Sequence, residues 1–353
     1  MKAITVEPGT RDSLRLEEFK HPRPELGSVL IRAVALGICG TDRDIIDAKY
    51  GEPPPGHRRL IIGHESLGRV EDAPADSGLR VGQLVMGVVR HPDPVPCASC
   101  AVGEWDMCRN GLFTEHGIKG LDGFGSELYR LDPGYVIPLN ESLGLLGVLV
   151  EPASVVAKAW HHIEAIGRRG AHWAPRKVLV TGAGPVGLLA ALLGVQRGFE
   201  VHVYDHNSDG PKPALARDLG AIYHSDGVDS LPRDFDVILE CTAVSEIIVE
   251  AISHTTFDGI VCLLGVSAGG REACVDIGEL NGTIVLGNRV MFGSVNANRT
   301  HYGAAAEALA RADRTWLERL ITRRVPLADW RSAFEHAHHD VKTVILFDGD
   351  DAS

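Results

Sequence analysis

Through the first ~150 residues, apolar positions come in short runs broken by Gly and Pro, as at 29–34, 66–70 and 84–89. That rhythm predicts brief strands and an irregular, barrel-like β domain. From 177 to 288, apolar β-branched runs alternate with stretches of helical period, the mark of a parallel sheet covered by helices. Strands are expected at 177–180, 200–204, 235–239 and 260–264, with a helix at 185–197. After residue 289 β texture resumes, with a helix over 303–312 and a final strand at 343–347. A chain of 353 residues suggests two domains. The nucleotide-type segment, 156–290, is read as inserted into a domain made of 1–155 and 291–353.

Charge and cysteine usage narrow the class. The net charge of -12, from 35 basic and 47 acidic residues, steers the chain away from nucleic acid and anionic membranes. Residues 1–12 lack a basic-then-apolar signal pattern. The most apolar stretches carry Glu151 or fall short of ~18 residues, so no membrane span is expected. Seven cysteines, three of them close together, suit metal ligation in a reducing compartment better than disulfides. The expected location is the cytoplasm.

Thr181-Gly182-Ala183-Gly184-Pro185-Val186-Gly187 follows an expected strand and opens an expected helix. Gly182 and Gly184 permit a tight turn close to a pyrophosphate, Gly187 lets helix and strand pack, and the helix amino terminus faces the phosphates. An acidic residue, Asp205, ends the second strand 21 positions after Gly184. Its carboxylate suits two ribose hydroxyls and repels a 2′-phosphate, and 206–209 supply no arginine to offset it. NAD is expected over NADP; the alternative is that Asp205 points away and His206 or Lys212 meets the phosphate.

Cys39-Gly40-Thr41-Asp42 and Gly63-His64-Glu65 lie in the β region, and Glu151-Pro152 stands near its end. Thiolate, imidazole and carboxylate together suit catalytic zinc, which keeps one position open for water or a substrate hydroxyl. Spacing alone does not unite them, because singly Cys39 and His64 read as ordinary core residues. Adjacent side chains on a regular strand point oppositely. His64 and Glu65 therefore share a metal only if the backbone bends; otherwise Glu65 orients a ligand or water. Cys97-Ala98-Ser99-Cys100 and then Cys108 suggest structural zinc, one ligand short. Asp93 is the expected fourth ligand, with His91 and Asp106 as alternatives. Glu335-His336-Ala337-His338-His339 and the pair His161-His162 read as solvated helix faces or ends.

With these residues assembled, the sequence resembles the zinc-containing medium-chain dehydrogenase/reductase family, nearest to the microbial glucose (aldose) 1-dehydrogenases. The general marks are the Cys39, Gly63 and Gly182 motifs and the three-cysteine lobe. The glucose dehydrogenase marks are Glu115-His116-Gly117-Ile118, Asp122-Gly123-Phe124, Glu151-Pro152, Gly293-Ser294-Val295-Asn296 and Lys342-Thr343. The resemblance implies a GroES-like β-barrel catalytic domain, a Rossmann doubly wound parallel sheet, and a cleft between them. It implies zinc on Cys39 and His64, with Glu65 and Glu151 as carboxylates that ligate or exchange with water. It implies that Thr41 contacts substrate or relays its proton, and that Glu115, Glu151 and Asn296 bind it. Cofactor contacts are implied at Leu264, Gly265, Ser294, Asn296 and Lys342, with a homo-oligomer, a tetramer or dimer. The chain departs from the pattern at Pro94, where the first of four lobe cysteines is usual, and at Val155, where some relatives carry aspartate. It also lacks the Asn-Arg-Arg or Gly-Arg-Arg used for a 2′-phosphate near Asp205.

The expected reaction is zinc- and NAD(P)-dependent oxidation of an aldose at C1 to the lactone. The alternatives are a polyol or secondary-alcohol dehydrogenase, a metal-free enone or quinone reductase, and a non-catalytic dinucleotide-binding protein.

Overall fold

The computed structural model describes residues 1–267, 274–335, 337 and 339–347. The chain divides into two compact units: 1–154 with 296–311 and 321–353, and 155–295 with 312–320.

In the first unit the long strand Val29–Ile38 is the hub. It pairs antiparallel with Glu65–Asp72 on one side, and with Leu128–Leu131 and Lys342–Leu346 along the other. The sheet continues through Leu84–Gly87 to Val136–Pro138, and through Ile321–Pro326 beyond Lys342–Leu346. The inward positions Val29, Ile31, Ala33, Leu36 and Ile38 are buried beside Val70, Val85, Phe124 and Ile345, as the pleat requires. Two registers matter for chemistry: Gly37 stands opposite Glu65, and Thr343 opposite Ile38. They bring Cys39, Glu65 and Lys342 to one end of the sheet.

The second unit holds a six-stranded parallel sheet in the order Ile222–His224, Glu200–Tyr204, Lys177–Thr181, Phe235–Glu240, Thr255–Leu263, Val290–Gly293. Strand Val290–Gly293 completes this sheet rather than resuming the β texture of the other unit. The helix after the first strand is Pro185–Gln196, and Arg314–Leu320 belongs to the second unit. Gly187 faces the Gly182 turn so closely that a Cβ there would sit 1.8 Å from the Gly182 carbonyl oxygen. Helix and strand pack at this distance only without a side chain.

One helical stretch, Glu141–Gly167, is long and apolar enough to cross a membrane, yet its apolar window is 78% buried within the protein. It is a core helix, and Glu151 sits in it, buried. His161 and His162 lie on the same helix, His161 exposed and His162 half-buried. In the histidine-rich stretch, His336 and His338 fall outside the described residues.

Candidate metal centre and dinucleotide site

Cys39 ends the hub strand and caps the short helix Gly40–Ile46. Its N–H donates to Asp42 Oδ2 at 2.9 Å, which turns the Asp42 carboxylate back over the strand end. Asp42, fully buried, presents its other oxygen 3.4 Å from His64 Nδ1. The second ring nitrogen is therefore the one left for an ion, an arrangement common to metal-binding imidazoles. His64 stands before its strand begins at Glu65, and Gly63 before it has φ +94°. That bend removes the alternation of a regular strand. The donor atoms of Cys39, His64 and Glu65 consequently lie within 4.8 Å of one another.

Two polar neighbours set the charge of this cluster. Lys342, 1% exposed, pairs with Glu65 Oε2 and donates to the Ile38 carbonyl at 3.1 Å. It is the buried counter-ion of Glu65, carried there by the Thr343–Ile38 register. Gly37 makes room: a Cβ there would stand 2.1 Å from Glu65 Oε2. Glu151 lies close enough to feel these charges. Burial, joined by Glu65 and Asp42 and opposed by His64 and Lys342, pushes its carboxyl up to about 7. For His64, burial opposes protonation, but Asp42 and Cys39 outweigh it and hold the imidazole well above its ordinary value. Thr41 meets the side chain of Tyr50.

Glu115, on strand Thr114–His116, is buried and paired with Arg90 and Asn296 of the same unit. Asn296 holds φ +62°, a conformation Asn tolerates better than most residues. Asp122-Gly123-Phe124 serves the metal-side turn: Asp122 accepts the Ile61 N–H at 2.9 Å, and the Phe124 N–H donates to Gly63 at 2.9 Å.

The cysteine lobe brings Cys97, Cys100 and Cys108 together, again with sulfurs within 4.8 Å. Backbone N–H groups, that of Arg109 foremost, lower the Cys97 thiol to about 6, while burial raises Cys100 to about 11. The Asp93 carboxylate is not grouped with the three sulfurs. Its Oδ1 accepts from the Val95 N–H and its Oδ2 from Asn110 Nδ2, at 2.9 and 2.6 Å, and the Asp93 main chain hydrogen-bonds Cys100. His91 faces His116 at 3.2 Å and stacks on Tyr135, and Asp106 accepts from Asn298. Among the described residues, no fourth His, Asp or Glu donor joins the three thiols.

In the second unit, Asp205 turns inward to the glycine loop. Its Oδ2 accepts the Ala183 N–H at 2.7 Å, and its Oδ1 accepts the Asn207 N–H at 3.0 Å. Burial alone would raise it, but these donors and the Asn207 amide hold its carboxyl below the ordinary value. Lys212 Nζ stands 3.4 Å from Oδ2, and the His206 side chain is 85% exposed. Leu264 and Gly265 follow strand Thr255–Leu263, and Ser294 follows Val290–Gly293, all at carboxyl ends of parallel strands, where such sheets bind ligands.

Sequence reasoning missed four participants. Asp42 lay inside a quoted motif, but its contact with His64 depends on the cap. Arg90 and Tyr50 carry no motif. Glu240, fully buried, accepts from the Thr242 and Ala243 N–H groups beside the glycine loop. Its only signal was an acid at the end of an apolar strand.

A centre of thiol, imidazole and carboxylate in a β unit, with a parallel sheet and glycine loop in another, defines a metal-assisted dinucleotide-dependent dehydrogenase. Residues 25–141 match the family described as Alcohol dehydrogenase GroES-like domain, and 144–347 match Glucose dehydrogenase C-terminus. The chain is 38% identical to a glucose 1-dehydrogenase of Methanocella arvoryzae and 37% to glucose 1-dehydrogenase 2 of Vulcanisaeta moutnovskia, over 98% of this chain and 99% of each relative. The glucose dehydrogenase of Haloferax mediterranei, solved with NADP, Zn and gluconolactone, superposes with a TM-score of 0.91 at 31% identity, covering 99% of this chain and all of that one. This chain belongs to the zinc-containing medium-chain dehydrogenase/reductase family, in its glucose dehydrogenase branch.

Proposed function

We propose that this protein oxidises an aldose at its anomeric carbon to the lactone, with NAD as hydride acceptor, at a zinc centre on Cys39, His64, Glu65 and Glu151. The observation that carries the reading is the convergence of Cys39, from the end of one strand, with the adjacent pair His64 and Glu65 at the start of another, in the same unit as the buried carboxyl of Glu151. The printed activity of the relatives points the same way.

Bound zinc supplies Lewis acidity that makes the substrate hydroxyl easier to deprotonate. The chain's own residues do the rest. Asp42 fixes the His64 ring. Lys342 orients Glu65 by its Oε2. Glu65, or a water held by Glu151, accepts the proton of the substrate hydroxyl. Thr41 contacts the substrate, and Glu115 with Asn296 binds hydroxyls away from the reacting carbon. Gly182, Gly184, Pro185, Val186 and Gly187 cradle the pyrophosphate. Asp205, ionised and flanked by no guanidinium over 206–209, favours the ribose diol of NAD. Cys97, Cys100 and Cys108 would supply three thiolates to a structural zinc ion, one short of the usual four ligands. The protein works in the cytoplasm as a homo-oligomer.

The test is steady-state turnover of the zinc-loaded protein on aldoses, polyols and secondary alcohols with NAD and NADP. Aldose oxidation strongest with NAD is expected. Turnover confined to polyols or simple alcohols would reassign the substrate, and activity surviving metal removal would overturn the centre.

A further inference from the structure

We propose that Arg90 is a positioning residue that makes Glu115 a one-sided hydrogen-bond acceptor, and so sets discrimination between sugars that differ by one hydroxyl. The inference rests on the aldose reading above.

Arg90 and Glu115 stand directly opposite in an antiparallel pair. Arg90 Nε and Nη2 both donate to one oxygen, Glu115 Oε1, at 3.0 and 2.9 Å. Asn296 Nδ2 donates to the same oxygen at 2.8 Å. Three N–H groups leave Oε1 no lone pair to offer. Oε2 has no partner among the described residues and is not among the sealed polar atoms of the interior. A carboxylate with one oxygen saturated and the other open is a directed acceptor. Beside it Asn296 Nδ2 has a second hydrogen to give, while Asn296 Oδ1 is occupied by the Ala297 N–H at 2.8 Å. Acceptor and donor side by side fit a hydroxyl, which does both.

The guanidinium itself is held rigidly. Nη1 donates to the Asp106 carbonyl at 3.2 Å, and the guanidinium carbon lies 3.7 Å from the centre of the Phe113 ring. Asp106 is fixed in turn by Asn298 Nδ2 at 2.9 Å. Arg90 is buried, so its planar fork has no exposed conformation to swing into. A lysine ammonium cannot stack on Phe113 and deliver two N–H groups to one oxygen. Freed from this clamp, Glu115 would turn either oxygen to the sugar and read no particular hydroxyl.

The experiment compares Arg90→Met and Arg90→Lys with the wild type on D-glucose, 2-deoxyglucose and 3-deoxyglucose, with zinc content, NAD affinity and melting temperature measured alongside. A buried polar site rejects an analogue lacking its hydroxyl by orders of magnitude, so the wild type should prefer glucose to at least one deoxy sugar by about 100-fold or more. Arg90→Met should raise KM for glucose about 10-fold or more with kcat nearly unchanged, and collapse that preference towards parity. Arg90→Lys, the milder change, should fall between. Wild-type preference retained in Arg90→Lys overturns the proposal, even if Arg90→Met fails to fold. An equal loss of kcat on all three sugars also overturns it, because that marks a merely structural role. A wild type that oxidises no aldose overturns the functional reading and takes this proposal with it.

Discussion

Asp42 has two oxygens and two duties: one accepts the Cys39 N–H and the other faces the His64 ring. Removing such a partner typically costs 10- to 100-fold in metal affinity, so Asp42→Asn should weaken zinc binding by about that factor while Cys39 and His64 remain in place. Loss of a ligand is harsher. Cys39→Ser or His64→Ala should abolish turnover and leave NAD binding intact; near-normal activity in either would refute the zinc reading. Glu151 gives a pH signature in zinc-free protein. Its folded value near 7 lies above the ordinary 4.5, so the folded state keeps a proton that the unfolded chain releases. The associated stability is fully present below pH 4.5 and is lost as pH rises through about 7, amounting to about 3 kcal/mol at most. The melting temperature of chelator-treated protein should therefore fall over this window. Glu151→Gln should flatten the part of the slope that Glu151 contributes.

At the level of elements, the glycine turn depends on the absence of a side chain at Gly187. Gly187→Ala places a carbon 1.8 Å from the Gly182 carbonyl oxygen, so helix or strand must move. NAD affinity should drop about 10-fold or more, read by quenching of protein fluorescence, because the helix amino terminus no longer meets the pyrophosphate. At the end of the second strand, Asp205→Ala and His206→Arg should each shift the ratio of kcat/KM towards NADP. His206 is exposed and free to carry a guanidinium, whereas Asp205→Ala also releases the Ala183 N–H. An unchanged cofactor ratio in both would sink the role given to Asp205. These elements were legible in advance because strand, turn and helix follow each other within one stretch of chain. The cysteine lobe was legible only in part. Its three thiols announce themselves by spacing, but the carboxylate of Asp93 is claimed by Val95 and Asn110, a competition invisible without coordinates.

For the whole molecule, the second unit draws its residues from two passes of the chain, 155–295 and 312–320. Trp316, on the second pass, is buried and donates from Nε1 to the Leu215 carbonyl at 2.8 Å, while Arg319 pairs with Asp218. Trp316→Ala removes a large core side chain, costing about 3–5 kcal/mol, while the Leu215 carbonyl keeps the Leu219 N–H at 3.3 Å. NAD affinity should suffer, with zinc content of the other unit unchanged by metal analysis.

The sequence by itself determined which stretches become strands and helices, where a dinucleotide would rest, and which residue types could hold a metal. Those properties are local: periodicity, glycine at a turn, and donor chemistry travel with the chain. Tertiary structure decided which donors meet. Gly37 opposite Glu65 and Thr343 opposite Ile38 are pairings across tens to hundreds of residues, and they place Lys342 on Glu65. Register of that kind is fixed by the packing of whole faces, so no local pattern announces it.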